Sequence, residues 1–405
     1  MLPFFLSLTT HPHPNSMANE RKLTSVISQS INAKMSREGT DKVAFRLDDK
    51  ESPSEVKSWI STGSTVLDLM ISNQKQGGLP SGRIVALYGS SGSGKSLIAS
   101  HVLADCQQQG GVSIFIDTEA ASDFSFMKTI GIDPEGDFLY IAENRLEKIF
   151  EMIETIIVKH KERNERERPV TIVLDSIAGS VTENEYEGDY SKEGYNTDKA
   201  IVLSRAMRKI TGLINKENVL LLVTNQVRTD PSVMYGDPHT TPGGVAVKFH
   251  SSVRIKMRRS KAIKESKQVV GAKIRPQVTK NRLAPPHRHT SFDLYYNSGI
   301  DDFGSWWGAL KNAGYLDSVS NGWYRILKDK DGDEAFTKKE MKPDSNKNDV
   351  FKLQESHMSK LLHEDPAFRS RIYDLLADAI MHEYEDGWVD RSNREYVGVE
   401  EAPAD

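Results

Sequence analysis

The stretch Gly89-Ser90-Ser91-Gly92-Ser93-Gly94-Lys95-Ser96 decides how the rest of the chain is read. It has the form G-x-x-x-x-G-K-[ST]. An apolar run, Ile84-Val85-Ala86-Leu87-Tyr88, precedes it, and a helical pattern opening at Leu97-Ile98 follows. Strand, glycine loop and helix in that order are the setting of a phosphate-binding P-loop. Glycines let backbone N–H groups turn inward around phosphate oxygens, and the N-terminus of the following helix adds a favourable dipole. Gly89, Ser90, Ser91, Gly92, Ser93 and Gly94 therefore read as a phosphate cradle. Lys95 reads as the cation on the β- and γ-phosphates, and Ser96 as a Mg²⁺ ligand. The alternative is a flexible Gly/Ser linker, and both flanks argue against it.

Outward from this loop the chain alternates between strands and helices. Val112 to Ile116 is apolar and ends at Asp117-Thr118-Glu119. Leu146, Ile149, Phe150, Ile153, Ile156 and Ile157 mark a long amphipathic helix. Val170 to Leu174 ends at Asp175-Ser176, and Val219 to Val223 ends at Thr224-Asn225-Gln226. The alternation predicts an α/β fold with a mostly parallel sheet covered by helices on both faces. Ligands bind such sheets at the C-terminal strand ends, where all these polar residues fall.

Their chemistry follows from that place. Asp175 reads as the Walker B carboxylate holding Mg²⁺, directly or through water. Glu119 could take a proton from an attacking water if held within hydrogen-bond reach; a surface acid is the other reading. Gln226 directly precedes a long irregular segment, Arg228 to Gly244, containing Pro231, Gly236, Pro238, Pro242, Gly243 and Gly244. An amide there can sense a γ-phosphate and pass its presence to the loop. Loops of this length are usually functional or disordered. Lys280 and Arg282 are candidates for positive charge on the transferred phosphoryl group, supplied by a neighbouring subunit. Local sequence alone favours a solvated basic strand.

The chain has 405 residues, enough for two to three domains and a sizeable core. Its net charge of -4 points to no nucleic-acid partner, but the distribution is uneven. Residues 251–288 hold twelve Lys/Arg and one acid, Glu265, while residues 382–405 hold eight acids and two Arg. A basic face with an acidic tail, or merely a solvated surface, accounts for this. The single cysteine, Cys106, permits no internal disulfide and suits a reducing, cytoplasmic compartment. No apolar stretch is long enough to span a bilayer, and the apolar start, Met1 to Leu6, lacks the features of a signal peptide.

The expected organisation is as follows. Residues 1–17 form a disordered extension outside the fold. Residues 18–58 hold a helix carrying Leu23, Val26, Ile27 and Ile31, a strand at Val43 to Leu47, and a linker. This arm packs on another subunit or on its own domain; the residues favour neither. Residues 59–300 are the ATPase-like core, with Phe292 to Tyr296 as its last strand. Residues 301–381 form a small α+β domain with a helix through Trp306, Trp307, Leu310 and Leu316 and a hairpin turning at Asp331-Gly332. Residues 382–405 are a mobile acidic tail. Asp329 to Asp333 with Glu340 is not a calcium loop, because the glycine required at its sixth position is Glu334.

With these residues placed, the chain resembles the RecA family of strand-exchange recombinases, in order, over roughly residues 20–330. The resemblance runs through Ile60-Ser61-Thr62-Gly63-Ser64, Gly78 to Val85, the P-loop, Phe115 to Glu119 and Val173 to Ser176. It continues through Ser204 to Lys209, Asn225-Gln226-Val227-Arg228, Val233-Met234-Tyr235-Gly236, Thr240 to Gly244, Lys248-Phe249 and Lys280-Asn281-Arg282. Many NTPases share the P-loop; the loop ending in Gly243-Gly244 and the Lys-Asn-Arg segment are far more specific.

The resemblance implies a RecA-type core with ATP and Mg²⁺ as cofactors. It implies Glu119 as catalytic glutamate, Gln226 as the link from ATP to the DNA loop, and Lys280 and Arg282 as the pair reaching ATP across a subunit interface. Asp123, Phe126 and Tyr296 fall where the family holds adenine. Glu187–Asn196 and Arg228–Gly244 match the DNA-binding loops; Arg208, Arg228, Gly243 and Gly244 match backbone-contacting positions. In that second loop, apolar residues such as Val233 and Met234 could wedge between bases and stretch the strand. Lys248 and Phe249 match an interface segment. The implied partners are single-stranded DNA, homologous double-stranded DNA and further copies of the chain in a helical filament, with no membrane. A ring-forming helicase, or a regulatory ATPase without strand exchange, is the competing reading. The N-terminal arm and the Lys280/Arg282 pair argue against the helicase, and the loop ending in Gly243-Gly244 argues against the regulatory ATPase. The chain departs from the family pattern at Asp230, Arg282, Phe126 and Pro242, and in an apparent insertion at Gln74 to Gln76.

Overall fold

A computed structural model describes residues 14–39, 41–46, 49, 52, 54–120, 122–163, 165, 167–188, 195–229, 239–240, 242, 245–328, 335–336, 341 and 351–382. Helix α1 (Pro14–Arg37) leads to β1 (Trp59–Ile60), α2 (Thr65–Ser72) and β2 (Leu79–Pro80), with β2 antiparallel to β1. β3 (Ile84–Gly89) feeds α3 (Lys95–Gln108), followed by β4 (Val112–Asp117), α4 (Phe124–Ile130), β5 (Phe138–Ala142), α5 (Leu146–Glu162) and β6 (Val170–Asp175). The short α6 (Glu183–Tyr186), α7 (Tyr195–Ile214) and β7 (Val219–Gln226) come next. β8 (Arg228–Thr229) pairs with β9 (His239–Thr240), and α8 (Ala246–His250) runs into the hairpin of β10 (Val253–Glu265) and β11 (Gln268–Asn281). β12 (Arg288–His289), β13 (Phe292–Tyr295) and β14 (Gly299–Asp301) precede α9 (Asp302–Asn312). The hairpin β15 (Leu316–Ser320) and β16 (Trp323–Ile326) and helices α10 (Glu355–Glu364) and α11 (Pro366–Ile380) follow.

The central sheet has the order β14-β13-β11-β10-β3-β7-β6-β4-β5, with β12 on β11. Every pair from β10 to β5 is parallel, and β11, β13 and β14 continue the sheet antiparallel. The near-continuous apolar strands are what this requires, because both faces are covered. Along β3, Val85 and Leu87 join one core with Ile98, Val102 and Leu103 of α3. Ile84 and Ala86, pointing the other way, join a second core with Ile149 and Ile153 of α5 and Met207 and Ile210 of α7. A third core gathers Trp306, Leu310, Ile372 and Leu376 onto Val66 and Leu69 of α2. The same junction is pinned by Asp302, whose carboxylate accepts from Thr65 N at 2.7 Å and Thr65 Oγ1 at 2.6 Å. It thereby serves the buried N-terminus of α2, whose own N-cap residue Ser64 makes no side-chain cap bond.

Several expectations need correcting. The first helix begins at Pro14, inside the stretch assigned to a disordered extension, because proline is tolerated in a first helical turn. Residues 43–46 are not a strand: Val43 N and Ala44 N donate to Asn32 Oδ1 at 3.0 and 2.9 Å, and Asn32 Nδ2 donates to Ala44 O at 2.8 Å. One side chain meets the polar groups that a neighbouring strand would. Leu316 lies in β15, not in the helix, which stops before Gly314 at φ 84°. β16 also pairs with β15, across a turn at Asn321-Gly322, and Ala335 N donates to Ile326 O at 2.8 Å; the turn expected at Asp331-Gly332 lies outside the described residues. The sheet also continues past Tyr296 by one strand, β14.

Candidate functional site

The C-terminal edge of the parallel strands is in register: Gly89 faces Gln226, and Asp117 faces both Asp175 and Ala142. A cavity of about 530 Å³ opens along this edge. Ser91, Gly92, Gly94, Lys95, Ser96, Glu119, Asp175 and Gln226 line it. Asp123, Phe126 and Tyr296 line the same cavity. The P-loop turns at Gly92 and Gly94, with φ of 71° and 86°, conformations that cost a side-chain-bearing residue strain. Gly89 is needed for a different reason: a Cβ there would meet Met257 O at 2.2 Å.

Lys95 is buried at the first turn of α3, and its Nζ donates to Ser90 O at 2.7 Å and Gly89 O at 3.2 Å. Burial lowers its pKa from the ordinary lysine value, while Asp175 and Glu119 act in the opposite sense. Asp175 Oδ1 accepts from Thr224 Oγ1 at 2.5 Å, which fixes the carboxylate at the end of β6. Ser96 and Asp175 together offer a hydroxyl and a carboxylate oxygen, a donor set suited to Mg²⁺, which keeps several waters of its own.

Glu119 lies beyond β4 on a turn organised by Asp117. Asp117 Oδ1 accepts from the backbone N–H of Glu119 and of Ala120, both at 2.9 Å, and Oδ2 accepts from Ser122 N at 3.1 Å and Tyr140 Oη at 3.2 Å. Burial pushes the Asp117 carboxyl up, but these hydrogen bonds outweigh it and hold the pKa below the usual value. Glu119 Oε1 then accepts from Ser176 Oγ at 3.3 Å and Gln226 Nε2 at 3.5 Å. Gly179 makes room for this arrangement; a Cβ there would lie 2.7 Å from Glu119 Cγ. Asp117 and Thr224 stand among the polar strand ends of the sequence without any sign of these supporting roles, and Gly179 has no signal there, since it acts through Glu119, a residue distant along the chain.

Past Gln226 the backbone enters the paired ends of the long segment, Arg228 opposite Thr240 and Thr229 opposite His239. Asn225 Nδ2 holds its far side by donating to Pro242 O at 2.9 Å. Val233, Met234, Gly243 and Gly244 lie outside the described residues, as does most of Glu187–Asn196. Arg208 is exposed on α7.

Lys280 and Arg282 do not line this cavity. Lys280 pairs with Arg254, which stands beside Ala86, well back from the P-loop end of β3. Lys280 Nζ donates to Lys248 O at 2.8 Å and Phe249 O at 3.0 Å, and Arg282 Nη2 donates to Phe249 O at 3.3 Å. Both cations thus cap the carbonyl end of α8, where the helix dipole favours positive charge. Burial, then Arg282, Arg254 and Lys248, lower the Lys280 pKa to about 8. Phe249 itself is 62% exposed.

The profile of the RecA N-terminal domain matches residues 25–301, well over half of the chain. The chain belongs to the RecA family. RecA-family relatives include Protein RecA of Symbiobacterium thermophilum, 38% identical over 247 residues, covering 61% of this chain and 67% of that one. Protein RecA of a Wolbachia pipientis from Culex pipiens is 36% identical over 278 residues, or 67% and 75% of the two chains. Protein RecA of Gluconobacter oxydans is 39% identical over 246 residues, or 60% and 68%. The RecA profile ends at Asp301, where β14 gives way to α9. No described helix is long and apolar enough to cross a membrane.

Proposed function

We propose that this chain is an ATP-dependent recombinase that assembles as a helical filament on single-stranded DNA, pairs it with homologous duplex and exchanges strands. The observation that carries this reading is the contact of Gln226 with Glu119 in the cavity that the P-loop lines, two residues before the loop assigned to DNA. In this reading Lys95 and the P-loop amides bind the β- and γ-phosphates, and Ser96 and Asp175 hold Mg²⁺, which draws charge from the phosphate oxygens. Asp123, Phe126 and Tyr296 hold the base. Glu119 orients and deprotonates the attacking water. Gln226 leaves Glu119 for the γ-phosphate, and the loop responds.

Assembly is part of the reading. Leu23, Val26, Ile27 and Ile31 of α1 are 60, 58, 48 and 42% exposed, so in a single protomer about half of this apolar surface is open to solvent. We assign that face and residues 43–46 to a second copy, with Phe249 on the receiving side and Lys280 and Arg282 turned to the neighbour's nucleotide. ATPase measurement with and without single-stranded DNA, with parallel imaging by electron microscopy, tests the proposal. DNA-stimulated turnover on open filaments is expected. Closed hexamers that unwind forked DNA, or turnover indifferent to DNA, would replace it with a helicase or a regulatory ATPase.

A further inference from the structure

Tyr186 is 60% exposed at the end of α6, at the mouth of the segment matched to the first DNA loop. Exposed tyrosines are commonplace, but this one is held from several sides. The Arg145 guanidinium lies over its ring, 5.1 Å from the centroid. Arg145 is itself clamped to Glu143 by Nε–Oε1 at 3.0 Å and Nη2–Oε2 at 2.7 Å, with Glu183 at 3.8 Å. That clamp holds the Glu143 carboxyl down to about 2. The backbone is fixed as well. Tyr186 N donates to Thr182 O at 2.9 Å, Thr182 Oγ1 accepts from Glu185 N at 3.2 Å, and Glu183 N donates to Glu147 Oε2 at 3.0 Å. Arg145 and Val181 form a parallel bridge.

This platform stands on the functional edge of the sheet. Arg145 lies three residues beyond Ala142, which faces Asp117 in the row that also holds Asp175. A cation on one face of a fixed aromatic ring leaves the other face available for stacking. The neighbours Glu143, Glu147, Glu183 and Glu185 repel phosphates, so a polynucleotide passing here would present bases rather than backbone.

We propose that Tyr186 is a stacking platform for a base of single-stranded DNA, with Arg145 as its positioning residue. The inference rests on the DNA-binding reading above. A base on a fixed ring contributes roughly 1–3 kcal/mol, which corresponds to about 5- to 150-fold in affinity. Such a contact is indifferent to base identity and adds no counterion release.

The test is fluorescence anisotropy with labelled oligo(dT) in the presence of a slowly hydrolysed ATP analogue. Tyr186→Ala is expected to weaken binding about 5- to 150-fold with an unchanged salt slope, whereas Tyr186→Phe and Tyr186→Trp retain affinity. Arg145→Gln, which leaves the ring but frees it, should give an intermediate loss. On an oligonucleotide of abasic sites, wild type and Tyr186→Ala should bind alike. Equal binding of oligo(dT) by Tyr186→Ala and wild type overturns the inference while leaving the DNA-binding reading intact. So does an equal loss on the abasic strand. A wild-type protein that binds neither strand overturns both.

Discussion

Gln226 Nε2 lies 3.5 Å from Oε1 of Glu119, and the same oxygen accepts a hydrogen bond from Ser176 Oγ at 3.3 Å. The group assigned to sense phosphate therefore donates directly to the group assigned to activate water, across the ends of strands that are not adjacent in the sheet. A long contact of this kind is easily exchanged. Replacing Gln226 by Ala should leave nucleotide affinity within about threefold and remove the stimulation of hydrolysis by single-stranded DNA. Nucleotide titration alongside steady-state ATPase assays separates the two.

Glu119→Gln keeps the hydrogen-bond geometry but cannot accept a proton. Hydrolysis should fall by roughly 10²–10⁴-fold, the usual contribution of a general base, while filaments still assemble with ATP. Retention of near-normal turnover would remove Glu119 from the reaction.

Lys280 and Arg282 are remote from the cavity of their own chain, so their role should be separable between subunits. Lys95→Ala and the double variant Lys280→Ala/Arg282→Ala should each lose DNA-stimulated turnover, the latter by up to about 10³–10⁵-fold while still binding nucleotide. Mixed filaments should regain part of the activity. There, some interfaces combine an intact P-loop with an intact cation pair. No recovery at any mixing ratio would place both cations in the cis site or outside the reaction.

The Lys280 pKa is lowered to about 8, first by burial and then by Arg282, Arg254 and Lys248. Its cation is present below that pH and lost above it. The alkaline limb of kcat/KM, which reports the free protein, should therefore fall with a midpoint near pH 8. Lys280→Arg should move that limb beyond about pH 9, since guanidinium stays charged. A pH–rate profile of both proteins decides it.

The junction around α2 carries buried carboxylates that favour the neutral form. Burial raises Asp68 to about 7, against hydrogen bonds from Ser61 and Thr62, and raises Asp302 to about 6, against those from Thr65. Between the ordinary carboxylate pKa and these values, the folded chain holds protons that the unfolded chain releases. Stability contributed by the neutral groups is present at low pH and lost as pH rises toward about 7. The melting temperature should drop by roughly 3–8 °C between about pH 5 and about pH 7.5, and Asp302→Asn should flatten part of that slope. A melting temperature that climbs across this window would contradict the assignment.

Several features are legible in the amino-acid sequence because their signals are local. The glycine spacing of Gly89 to Ser96 requires particular backbone conformations, and the apolar runs of β3, β6 and β7 require burial on both faces. Strand-terminal polar residues follow from the same alternation, which is why Asp175 and Gln226 stand out from their neighbours in the chain.

Relationships between distant residues leave no such mark. Nothing near Asp302 in the chain says that it caps α2, because the contact joins residues 237 apart. Val43 and Ala44 have strand-like composition, yet pairing depends on a neighbour, and Asn32 supplies the bonds instead. Asn321-Gly322 suits a tight hairpin, but only the register of β15 on β16 shows that the two strands pair across it. The sequence by itself determined the phosphate loop, the order in which strands deliver polar residues, and the family. The tertiary structure decided which side chains share an atom, because strand register and interhelical packing are set by burial summed over the whole core.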